Sequence, residues 1–117
     1  MRVLILFLSL TAHTYAMDMG VHLFKVQFGS GVIFNDILIL EENSKGSFTV
    51  PGVFTVPVIV QSNQDNFSFL LKASEGNNPF SFIFKGTSNE GLSEGEIFDE
   101  TTGNKIGSFK GEKIYDL

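Results

Sequence analysis

Cysteine and tryptophan are missing from this chain altogether, arginine occurs only at Arg2, and histidine only at His13 and His22. Without cysteine there is no disulfide and no thiolate to bind metal or attack a substrate. Stability has to come from packing. With so few histidines, zinc lacks its usual ligands and a Ser–His–Asp arrangement would have to recruit His22, which stands beside an apolar face and reads as a structural residue. Long hydrophobic runs are lacking too. The longest, Val3–Leu10, has eight residues and is broken by Ser9, far short of the roughly 20 that cross a bilayer as a helix.

That short run has a different meaning. Met1-Arg2 supplies a positive start, Val3–Leu10 an apolar stretch, and Thr14 and Ala16 the small residues before a cleavage point. This order marks a secretory signal peptide. The expectation is therefore a cleaved leader over residues 1–16 and a single domain over residues 17–117, exported to the periplasm or the extracellular space and not spanning a membrane. Residues 17–117 carry seven Lys against thirteen Asp and Glu, a net charge of −6. Nucleic acid and anionic membrane surfaces call for a basic face, so neither is expected as a partner. A basic protein is the partner that this charge would suit.

What the chain does have is phenylalanine, thirteen in all and twelve after residue 16, together with twelve glycines. Phe favours the half-buried pleated surface of a sheet, and glycine serves its turns. Period-two alternation recurs along the chain. Phe24, Val26 and Phe28 share one face of Val21–Phe28, opposite Lys25 and Gln27. Phe67, Phe69, Leu71 and Ala73 share a face of Asn66–Ser74, and Phe80, Phe82 and Phe84 share one of Pro79–Gly86. Val32–Leu40 is apolar on both faces, which leaves its inward side open, and Asn35-Asp36 interrupts it. Ser47–Pro51 and Val53–Gln61 follow, then Leu92–Asp99 and Lys105–Tyr115. Pro57 cannot donate to a ladder and demands an edge position, a bulge or a bend.

The pattern predicts an all-β domain of about eight strands at the spacing of a barrel or sandwich. Only turns separate the strands, so sequential hairpins are the economical topology, and closure would remove exposed edges. A closed or nearly closed up-and-down barrel is expected, with a two-sheet sandwich as the alternative.

Gly46-Ser47-Phe48-Thr49-Val50-Pro51-Gly52, Phe84-Lys85-Gly86, Gly91-Leu92-Ser93-Glu94-Gly95 and Gly107-Ser108-Phe109-Lys110-Gly111 give the chain a glycine and turn rhythm over about residues 20–114. In this it resembles the small lipocalin-like (calycin-type) β-barrel modules of secreted bacterial proteins. The resemblance implies a meander barrel and a small apolar ligand. The chain is shorter than a typical lipocalin and has no Trp near its first strand, departures that argue against a roomy interior.

Few groups could carry chemistry. Glu94 and Glu96 share a strand face and would serve as an acid–base pair only if turned inward; facing water, they simply make a polar side. Asp99, Glu100 and Asn104 offer oxygen ligands around one turn, without the spacing of a calcium loop. Gly29-Ser30-Gly31 has no following helix to bind phosphate and reads as a hairpin turn. Asn66-Phe67-Ser68 fits a glycosylation sequon, relevant in a eukaryotic host. No cofactor, metal site or catalytic residue is expected. The candidate ligand-binding residues are Phe24, Phe67, Phe69, Phe80, Phe82 and Phe84, which either line a pocket or fill the core. A non-enzymatic binding protein is the reading that follows, carrying a small apolar ligand or engaging a protein partner through its acidic surface.

Overall fold

A computed structural model describes residues 17–117; the leader read in residues 1–16 lies outside the described residues. Nine strands run in sequence: β1 (Gly20–Phe28), β2 (Ile33–Leu40), β3 (Lys45–Val50), β4 (Phe54–Ile59), β5 (Gln61–Asn63), β6 (Asn66–Glu75), β7 (Asn78–Asn89), β8 (Leu92–Asp99) and β9 (Lys105–Tyr115). The helical content is one 3-10 turn at Glu42–Ser44, so among the described residues no helix is long and apolar enough to cross a membrane.

All nine strands form one antiparallel sheet in the order β4-β3-β2-β1-β9-β8-β7-β6-β5. This is a meander rolled into a nearly closed barrel, not a two-sheet sandwich. The first and last strands pair through a full ladder, from His22 opposite Lys113 to Phe28 opposite Gly107. The remaining seam falls in the middle of the chain, where β4 lies against β6 without a ladder. Val60 joins the two ends of the sheet there, and its N–H donates to the Ser44 carbonyl at 2.9 Å. Pro57 stands exposed on β4, an end strand of the sheet, where its missing N–H is tolerated. The ninth strand is the short β5, whose polar Gln-Ser-Asn sequence carries no hydrophobic alternation to reveal it.

Register fixes which side chains enter the barrel. Phe24 pairs with Asp36, Val26 with Phe34 and His22 with Leu38, so the inward face of β2 is Phe34, Asp36, Leu38 and Leu40. Phe69 pairs with Phe84, which pairs in turn with Ile97. One end of the interior is solid. Phe24 stacks on Phe109 with ring centres 5.1 Å apart, Phe69 stacks on Phe84 at 4.7 Å, and Phe48 meets Phe24 edge-on at 6.0 Å. Offset stacked and edge-to-face pairs at these distances add to the burial of large rings. Glycine makes the room: a Cβ on Gly111 would sit 2.7 Å from the Phe24 ring.

The same end is tied off by polar contacts. His22, fully buried, donates from Nε2 to the Asp18 carbonyl at 2.8 Å, while Lys113 reaches Asp18 at 3.3 Å and Asp116 at 2.7 Å. Desolvation holds the His22 imidazole below its usual pKa, and Nδ1 has no partner among the described residues. His22 therefore packs as a neutral core residue. Ser88 and Ser93 are buried alongside the apolar core.

Candidate ligand-binding cavity

At the other end the side chains do not meet. A cavity of about 730 Å³ opens between the β1–β2 and β3–β4 turns. Its floor is built from the buried lining residues Val26, Asp36, Phe48, Leu71 and Phe84. Half-buried rings form its walls. Phe28 lies 5.5 Å from Phe82, Phe54 lies 5.9 Å from Phe80, and Phe80 stacks on Phe82 at 4.7 Å. The opening is largely apolar as well: Ile33, Phe34 and Val53 line it and stand exposed. Alternation explains why the floor and wall residues line the cavity, since each takes the inward register of its strand. Val26 and Val50 are among the lining residues here, where the solid end sets ring against ring.

One residue breaks the apolar surface. Asp36 is only 4% exposed, lines the cavity, and leaves its Oδ1 without a hydrogen-bond partner among the described residues. Burial pushes its carboxyl up from 3.8 to about 6, because a charge removed from water and not compensated favours its neutral form. The other polar groups of the lining are Asn35 and the exposed Glu75 at the opening. Among the described residues no Lys or His lines it.

The six candidate phenylalanines divide between the two ends. Phe80, Phe82 and Phe84 line the cavity. Phe24, Phe67 and Phe69 lie within the solid cluster instead, each almost wholly buried. Sequence reasoning did not name Phe28, Phe34, Phe48 and Phe54 as site residues, although Phe28 shares the alternating face of Phe24 and Val26. It also missed Asp36, noted only as an interruption, because β2 is apolar on both faces and its parity gave no preference.

The remaining candidates lie away from the cavity. Glu94 and Glu96 face outward, and Glu96 pairs with Lys105 at 2.9 Å with both side chains about half exposed. Asp99 Oδ1 accepts the Thr101 N–H at 2.9 Å and so closes the β8–β9 turn. Gly29 adopts a positive φ of 61° in the β1–β2 turn, a conformation glycine takes at little cost. Two smaller hollows lie elsewhere on the surface. One of about 380 Å³ lies beside Met17, Leu40 and Val60, and one of about 510 Å³ follows the outer side of the seam by Pro57 and Lys72. Among the described residues, no three His, Cys, Asp or Glu side chains converge as metal ligands. Comparison with known proteins returned no matching protein-family model, no matching curated protein and no matching solved structure.

Proposed function

We propose that this protein is a non-enzymatic binding protein that holds a small apolar ligand in the open end of its barrel. The observation that supports this most is the 730 Å³ cavity walled by Phe28, Phe54, Phe80 and Phe82. Ligand sites are typically concave, mainly apolar spaces of about 300–1,000 Å³ with a few placed polar groups. A barrel of this size has room for its own side chains or for one small ligand, and here one end takes each course. The lipocalin-like resemblance points the same way. The signal-like order of residues 1–16 supports an exported protein acting in the periplasm or the extracellular space.

Native mass spectrometry of the protein purified gently from its own host tests this reading. An adduct of a few hundred daltons (roughly the size that a site of these dimensions takes), lost on harsher activation, is the expected result. A bare chain that also fails to take up added apolar compounds would overturn it. The net charge of −6 would then favour the second reading, capture of a basic protein at low salt.

A further inference from the structure

The carboxylate at the cavity floor narrows the ligand. From buried Asp36, whose Oδ1 has no partner among the described residues, set in a mainly apolar cavity, we infer that the ligand is an amphiphilic amine, bound with its ammonium group against Asp36 and its apolar body along the phenylalanine walls. The inference rests on the carrier reading above and adds the chemistry of the head group.

Four observations converge on it. Asp36 faces inward by register, opposite Phe24, and its Oδ1 has no donor among the described residues. An ionised carboxylate is purely an acceptor, and burying one without a partner is costly. Its surroundings offer no compensation: Phe24 and Val26 stand beside it from β1, Phe48 and Val50 from β3, and Glu75 of β6 is the other acid on the cavity. Among the described residues no cationic side chain lines the space, so the missing donor and the missing positive charge would both come from the ligand. Polarity also sets the orientation. Asp36 is at the floor, while exposed Ile33, Phe34 and Val53 make the mouth largely apolar. That is the reverse of a pocket built to take a fatty acid tail-first with its carboxylate at the entrance. A fatty carboxylate would place like charges together on the floor and is disfavoured. Ionisation of Asp36 accompanies binding, and burial raises that carboxyl to about 6, so amine affinity rises with pH through that range.

Three chain-matched probes test the inference: decylamine, decanol and decanoate, each titrated against the purified protein in competition with an apolar fluorophore. At pH about 8, where an ordinary carboxyl and one raised as Asp36 is are both ionised, decylamine is expected to bind about tenfold or more tighter than decanol, as hydrogen bonds to charged groups warrant. Decanoate should bind weakest. Asp36→Asn should bring the amine level with the alcohol while leaving decanol affinity unchanged. Lowering the pH to about 4.5 should shrink the amine preference in the unsubstituted protein, since the carboxyl then takes up its proton while the amine stays charged. Equal binding of amine and alcohol, or a preference that survives both the substitution and the acid, overturns the inference and leaves the carrier reading intact. Failure of all three probes to displace the fluorophore, or of the fluorophore to bind at all, overturns the carrier reading itself.

Discussion

The two ends of the barrel are made from the same residue by the same alternation, yet one is solid and the other hollow. In the solid end the inward rings come from strands β1, β3, β6, β7 and β9 and meet one another at stacking distance around Phe24. In the hollow end the rings stand against the walls, and Asp36 occupies a position where another ring or branched chain would have continued the core. Phenylalanine content therefore does not decide between core and pocket. Contact between rings does: Phe24 stacks on Phe109 at 5.1 Å in the solid end, while in the hollow end Phe28, Phe54, Phe80 and Phe82 stand around a cavity of about 730 Å³, although Phe24 and Phe28 both face a glycine, Gly111 and Gly107.

The largest expected effect separates the ends directly. Phe24→Ala removes a ring with no exposed surface and should cost about 3–5 kcal/mol, a large share of the about 5–15 kcal/mol available to a small domain. Phe82→Ala, at a half-buried wall position, should cost about 1 kcal/mol. Urea denaturation of both variants checks the contrast, and equal costs would break it.

Next comes the carboxylate. Asp36 is raised in the folded protein from 3.8 to about 6, so its contribution to stability is fully present below 3.8 and is lost as the pH rises through about 6. A shift of about two units corresponds to about 3 kcal/mol. Denaturation midpoints followed from neutral to acid pH should show this gain on acidification in the unsubstituted protein, and Asp36→Asn should abolish it. His22 works in the opposite sense at the solid end. Its folded pKa lies below 6.5, so the stability it contributes is present above 6.5 and is lost as the pH falls. His22→Gln should remove that acid-side loss, measured in the Asp36→Asn background so that the two groups are read separately.

The smallest stability effect is expected at the mouth. Phe34→Ser changes an exposed rim residue and should alter folding by no more than about 0.5 kcal/mol, while weakening uptake of an apolar probe in a fluorescence titration. A large loss of stability would mean that the rim is part of the core.

Much of the architecture could be read before the structure. Alternation at Phe67–Ala73 and Phe80–Phe84 placed β6 and β7 and their inward sets, and the restriction on Pro57 agreed with an end strand. The short β5 stayed hidden because three polar residues pair with β6 at the seam through backbone bonds alone. The strand expected over Pro79–Gly86 runs on to Asn89, since Thr87, Ser88 and Asn89 extend the β7 ladder against β8. The site was legible only in part. Periodicity says which side chains point inward, but whether inward rings touch depends on distances across the barrel, which no local pattern carries. Asp36 was invisible for a related reason: Ile33, Ile37 and Ile39 make the outer face of β2 as apolar as the inner one, so nothing in the strand marked the carboxylate as buried.

The central claim is that the two ends differ in what they can admit. Phenylalanine-labelled protein observed by NMR while decylamine is added tests it most directly. The account predicts that the rings of Phe28, Phe54, Phe80 and Phe82 shift on saturation while those of Phe67, Phe69 and Phe109 stay in place. Shifts spread evenly over both groups, or none at all, would contradict it.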